Sequence, residues 1–346
     1  MRGLDFALND ICLAVFTTLA PGAALAYVVL ACTLLFGKLD SRLRQRIESW
    51  LIAPLAVATI GLVASAAHLG TPSNALYVFR TIGSSPLATE VFFAVLFLGT
   101  ACSYWLGCIY IEGHKALRSL WLLASIVAAG FFIAGTDLAY AMPTVITWDT
   151  TLAQVILPCT AFACMTPLTL LIYTCSGYTS RVRLMRILAG ISLVATAASC
   201  ILMAMQHVEL GTQRNAFGTA AELVPLYPAA IALFGACLVA ANLGSLHAMR
   251  PLAAQGLDPE KVGEKTDAGE ADLSHDSAAP VPSTTSQNPD TPTVHLDPTA
   301  RTTPDRFSPI ERKVILKLVA MCVLAYAGTF AVRFCFYCFH MTSGVV

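Results

Sequence analysis

Long apolar runs, each closed by a short cluster of charges or histidines, follow one another along the chain. A bilayer core of roughly 30 Å is crossed by about 20 apolar helical residues. Eight runs meet that length: residues 11–37, 49–67, 91–111, 119–136, a stretch within 150–180, 187–206, 223–246 and 314–332. Pro21-Gly22 lies inside the first, and Pro158 and Pro167 lie inside the fifth, whose ends are the least sharply marked. Lys317 sits near enough to the start of the eighth to snorkel to the interface. The pattern predicts an all-α integral membrane protein of eight transmembrane helices, which divide naturally into two four-helix bundles. The first run is longer than a signal-peptide core and is preceded by no basic residue beyond Arg2, so we expect it to persist as a span.

Residues 252–309 break the pattern, being rich in Pro, Ser, Thr, Asp and Ala with no apolar period, and they read as a disordered cytoplasmic linker. The predicted organisation is therefore helices one to seven in 1–251, the linker in 252–309, and the eighth helix with an outward tail in 310–346. Lys and Arg in alternate loops set the orientation. One side collects Lys38, Arg42, Arg44, Arg46, Lys115, Arg118, Arg181, Arg183, Arg186 and eight more from Arg250 to Lys317, while Arg2, Arg80, Arg214 and Arg333 fall to the other. Seventeen against four, or nine against four without the linker, puts both termini outside, away from the cytoplasm.

Composition agrees: 56% of residues are hydrophobic and 12% charged, against about 25% charged in a typical globular domain. No basic run with interleaved aromatics is present, which excludes a nucleic-acid partner. Nearly all of the twelve cysteines, such as Cys32, Cys102, Cys164 and Cys237, stand singly in apolar runs, where they serve as small packing residues. Cys335 and Cys338 have CxxC spacing but no second pair to complete a cluster; we read them as helix packing, with a disulfide or redox role as the alternative.

Ionisable groups at membrane depth are costly and mark functional candidates. His114, His247 and His340 lie in or beside loops, where a solvated interfacial histidine suffices, and Asp137 near the outer end of span four is either an interfacial carboxylate bonded to a neighbouring helix or part of a site. His68 and Glu90 differ, because they close span two and open span three across one short outward hairpin. Two readings stand side by side. Glu90 could favour the dipole of its helix and His68 could anchor the interface, or the two could share a quinol site, in which imidazole and carboxylate serve as hydrogen-bond partner and proton acceptor. Haem fits less well, since His68 with His207 is the one plausible outward pair and both close helices.

The run His68-Leu69-Gly70-Thr71-Pro72, then Asn74-Ala75, Arg80-Thr81-Ile82-Gly83-Ser84-Ser85, Leu87 and Glu90, resembles the signature of the dimethyl sulfoxide reductase membrane anchor subunit family. The stretch 140–148 and the eight-span plan are similar too, whereas the 252–309 insert lies outside the resemblance. The resemblance implies an anchor for a molybdopterin catalytic subunit and an iron–sulfur electron-transfer subunit with four clusters. It also implies oxidation of menaquinol, with membrane lipid around the protein and no haem or iron–sulfur cluster within it. His68 and Glu90 match the family's essential histidine and acid. Gly70, Pro72, Arg80, Ser85, Asp137, Tyr140 and Trp148 are expected around the quinol, with Arg80, Tyr140 and Trp148 matched by neighbourhood. Thr89 departs from the Asn that commonly precedes the acid. A polysulfide or nitrite reductase type of quinone-interacting anchor is the near alternative. A transporter, which would need charged or broken helices at mid-membrane, is the distant one.

Overall fold

The computed structural model describes residues 2–67, 79–110, 114–179, 181–215, 218–255 and 307–342. His68, Gly70, Pro72 and most of the predicted linker lie outside the described residues. A short helix α1 (Arg2–Asn9) leads into α2 (Ile11–Phe36), then α3 (Ser41–Trp50), α4 (Ile52–Ala67), α5 (Pro86–Tyr110), α6 (Lys115–Ala139), α7 (Thr151–Ser176) and α8 (Val182–Thr212). A two-stranded hairpin, β1 (Arg214–Asn215) with β2 (Gly218–Thr219), and a single turn α9 (Ala220–Leu223) precede α10 (Tyr227–Gln255) and α11 (Pro309–Cys338).

Among the described residues, eight helical segments are long and apolar enough to cross a membrane, with α3 and α4 counted as one. The expected spans are all present, and the protein is a multi-pass membrane protein. Most ends shift by a few residues from those predicted, and three of the shifts are instructive. Span two begins at Ser41, because α3 carries its charges into the helix and buries one of them, Glu48, in ion pairs. Span eight begins at Pro309, where Ser308 and Glu311 form a reciprocal capping box at 3.2 and 2.7 Å ahead of the apolar run. It also runs on to Cys338, so Arg333 is not an outward loop cation as the charge count assumed. It is a helical residue only 3% exposed.

The two most enclosed spans are α2 and α7, which touch each other and carry the others around them. Small residues make this possible, as expected where no hydrophobic drive separates helix from lipid. A side chain at Gly22 of α2 would collide with Cys164 Sγ of α7. Hydroxyls then tie the close-packed pairs, with Tyr27 to Ser125 (2.9 Å), Thr33 to Tyr173 (2.6 Å) and Thr166 to the Leu188 carbonyl (3.1 Å) joining α2 to α6, α2 to α7 and α7 to α8. The prolines of α7 leave it helical throughout. Thr150 caps its start by accepting from Ala153 N at 3.1 Å, and Gly177 at φ 80° closes its end. All twelve cysteines are free thiols, Cys335 and Cys338 included.

Candidate functional site

The segment before Glu90 is built as a turn that delivers the carboxylate into the protein. Gly83 has φ 82°, a conformation costly for any other residue. Ser84 N and Ser85 N both donate to the Thr81 carbonyl, at 3.1 and 2.9 Å. Pro86 follows as the first residue of α5, where its fixed φ and missing N–H cost nothing. The Ser85 hydroxyl accepts from Ala88 N (3.4 Å) and the Thr89 hydroxyl accepts from Gly83 N (3.0 Å). Thr89 thus pins the turn directly, which accounts for a hydroxyl at that position.

One turn into α5, Glu90 faces α6 and is 2% exposed. Gly135 allows the approach: a Cβ there would meet Phe93 Cδ2 at 2.9 Å and stand 3.5 Å from Glu90 Cα. The Thr136 hydroxyl, which donates to the Phe132 carbonyl at 3.0 Å, lies against the carboxylate. Glu90 Oε1 is buried with no hydrogen-bond partner among the described residues. Nearby, Tyr140 and Tyr337 share a hydroxyl contact of 2.5 Å, with the Thr17 hydroxyl 3.5 Å from Tyr337, and both phenols feel the charge of Glu90. Burial, reinforced by Tyr337 and Glu90, pushes the Tyr140 phenol well above its ordinary range and keeps it a donor.

Arg333 of α11 supplies the opposite charge. Its Nη2 donates to the Leu157 carbonyl (3.1 Å) and to the Thr160 hydroxyl. Its Nε is buried without a partner, as is Oδ1 of Asp137, which lies within its electrostatic reach. Three orphaned polar atoms, on Glu90, Asp137 and Arg333, in one buried region mark a place for a polar ligand or water.

Aromatic rings wall one side. Trp148 stacks on Phe336 (5.2 Å between centroids) and on His340 (4.7 Å), meets Tyr140 edge-on (5.6 Å), and donates from Nε1 to the Phe336 carbonyl at 3.2 Å. A bridge between Val145 and Thr342, with Ile146 N donating to the Met341 carbonyl at 3.1 Å, fastens residues 339–342 onto the loop after α6. Burial lowers the pKa of His340, partly offset by Asp10.

Of the residues expected at the site, Glu90, Asp137, Tyr140 and Trp148 come together. Ser85 serves as a helix cap and Arg80 is exposed in the preceding turn, so neither joins the buried cluster. His207 belongs elsewhere, edge-on to Tyr227 at 6.0 Å. The sequence reading missed Arg333, Tyr337, His340 and Thr136. A signal was present: Thr329, Arg333 and Tyr337 recur at intervals of four, which places a cation and two hydroxyls on one helical face.

The profile of the "DMSO reductase anchor subunit (DmsC)" family matches residues 4–253. Among curated proteins, the sequence is 30% identical over 218 residues to the C subunit of the anaerobic dimethyl sulfoxide reductase of Escherichia coli K12, covering 63% of this protein and 75% of that one. It is 27% identical over 232 residues to YnfH, an anaerobic dimethyl sulfoxide reductase subunit of the same organism, covering 67% and 80% of the two proteins. It is 28% identical over 151 residues to the C subunit of the Haemophilus influenzae anaerobic dimethyl sulfoxide reductase, covering 44% and 54%. Glu90, Asp137, Tyr140 and Trp148 fall within the profile match, whereas Arg333, Tyr337 and His340 lie beyond it.

Proposed function

The protein belongs to the DMSO reductase anchor subunit (DmsC) family, and from that membership we propose that it anchors a molybdopterin oxidoreductase and oxidises menaquinol for it in anaerobic respiration. The observation that carries the reading is the unpartnered Glu90 carboxylate oxygen, buried at one end of the spans beside Asp137, Tyr140 and Arg333. Bound quinol would supply two electrons and two protons. In this protein Glu90 accepts one proton, and His68, at the position of the family's essential histidine, bonds the other ring oxygen and accepts the second. Tyr140 donates a hydrogen bond, Arg333 balances the carboxylates, and Trp148 with Phe336 walls the head group. The electrons leave for an iron–sulfur subunit docked over this end, and from it reach the molybdopterin subunit; the anchor itself carries neither haem nor cluster.

An apolar groove of about 590 Å³ supports lateral entry from lipid. It is formed by Val15 and Leu19 of α2, Ile60 of α4, and Tyr326 and Phe330 of α11. Phe330 is one turn below Arg333, and α2 carries Thr17 alongside, so an isoprenoid tail seated there leads its head to the cluster. With Arg333 buried among the helices, the remaining cations divide seventeen to three between the two ends of the spans, which supports the Glu90 end and both termini facing outward. The first four and last four spans then form two bundles joined through α2 and α7, in the inner membrane of a bacterium. The 252–309 stretch tethers the eighth span on the cytoplasmic side.

The test is His68→Ala in the full complex. Quinol-driven reduction should be abolished and a quinol-analogue inhibitor should no longer bind, while the complex assembles and still accepts electrons from an artificial dye. Normal quinol turnover in that variant would overturn the reading.

A further inference from the structure

At the end of the spans opposite Glu90 lies a second group of ionisable side chains that quinol chemistry does not use. Glu48, 4% exposed in the last turn of α3, is held from three sides. Arg44 Nε donates to it at 3.2 Å from one turn earlier, Arg118 Nη2 at 2.5 Å from α6, and the Tyr104 hydroxyl at 2.9 Å from α5. These helices enclose a cavity of about 550 Å³, lined by Arg44, Glu48, Lys115 and Arg118. Among the described lining residues three cations face one carboxylate, an excess of two positive charges.

Glu48 does not exhaust the donors. Arg118 Nε is buried and has no hydrogen-bond partner among the described residues. The Lys115 ammonium and the hydroxyls of Ser41 and Ser119 also border the space. Both Ser41 and Lys115 are first residues of their helices, so free N–H groups and the positive ends of two helix dipoles are close at hand. A surplus of donors and positive charge around one cavity selects an anion with several oxygens. The depth of the cavity narrows the choice. Spans end or begin at Phe36, Ser41, Cys108 and Lys115, which places the cavity at headgroup level, and Leu39 makes part of its wall apolar while the Cys108 thiol stands against Arg118.

We propose that this cavity binds the phosphate of an anionic phospholipid from the adjoining leaflet, with Arg44, Lys115 and Arg118 around the phosphate and Leu39 against its glycerol end. The Glu48 pairs act as the frame, because they hold Arg118 in place and take up part of its charge. The site is independent of quinol oxidation.

Native mass spectrometry and thermal melting of the purified full-length protein, titrated with phosphatidylglycerol, phosphatidylcholine or inorganic phosphate, provide the test. One phosphatidylglycerol per protein should be retained and should raise the melting temperature, with phosphatidylcholine doing neither. Lys115→Gln should weaken retention roughly fivefold, and Lys115→Gln with Arg44→Gln roughly 25-fold, at about one such factor per cation, while quinol-driven activity is unchanged. Should the double variant fail to fold, Lys115→Gln decides alone, because its side chain is exposed and makes no ion pair with Glu48. Equal retention of both lipids, or retention in Lys115→Gln within twofold of wild type, overturns the proposal. Stabilisation by inorganic phosphate with no lipid retained overturns the lipid as its source.

Discussion

Replacing Glu90 by Gln removes the proton-accepting group while leaving the volume of the side chain in place. The surroundings tolerate the amide: the Thr136 hydroxyl already donates to the Phe132 carbonyl at 3.0 Å, so its oxygen can accept from the new N–H. Glu90 Oε1 has no donor that an amide would lose. Fold and assembly should therefore survive. A positioned acid or base contributes about 10²–10⁴-fold to a rate, and the quinol-driven kcat of Glu90→Gln should fall by that much. Glu90→Asp separates chemistry from position. It keeps the carboxylate but withdraws it by one methylene, about 1.5 Å, and a misplacement of about 1 Å costs on the order of 10²-fold. Asp should then lose about 10²-fold, the lower end of the loss for Gln, with inhibitor affinity reduced in both. The assay is reduction of the terminal acceptor driven by a quinol analogue in membranes, normalised to the rate with a dye that feeds the partner subunits directly. Glu90→Gln retaining more than a tenth of the normalised rate would refute the reasoning.

Two further outcomes follow from the same region. Arg333→Met deletes two interhelical hydrogen bonds, each worth about 0.6 kcal/mol in a membrane, so melting should shift by only a few degrees. Quinol-driven turnover should fall at least tenfold, because Asp137 and the Tyr140–Tyr337 pair lose their nearby cation; turnover equal to wild type would rule out a role for that charge. His340 is expected to make stability depend on pH. Burial favours its neutral form in the folded protein, so the unfolded state binds a proton first as pH falls below about 6.5. Its contribution is intact above that value and is lost on acidification. His340→Gln should flatten the decline of melting temperature between pH 7 and 5, and an unchanged slope would exclude this histidine as its source.

The hydropathy of the sequence made the eight spans legible, and two of the ends it misplaced lie where a charge is satisfied inside the protein. A sequence reader treats Arg333 as a loop marker because a cation in lipid is expensive; the Leu157 carbonyl and Thr160 hydroxyl that remove the expense come from another helix. Glu48 misled the start of span two in the same way, since its partners Arg118 and Tyr104 lie on α6 and α5. At the candidate site, the local turn from Thr81 to Glu90 was readable from its glycine, serines and proline. Asp137 was readable as an ionisable group at membrane depth, and Tyr140 and Trp148 by neighbourhood. Tyr337 and His340 were not placed with them, because only the fold brings the end of the last helix beside the loop after span four.

The fastening of residues 339–342 onto the loop after α6 also bears on how the protein is made. Arg333 follows Glu90 by 243 positions (333 minus 90). At a synthesis rate of about 5–20 residues per second, its emergence lags by roughly 10–50 s. During that interval Asp137 lacks the charge of Arg333, and Tyr140 lacks the hydroxyl of Tyr337. A nascent or truncated polypeptide can therefore hold seven inserted spans with the cluster unfinished, and the last helix to enter the bilayer is the one that completes it.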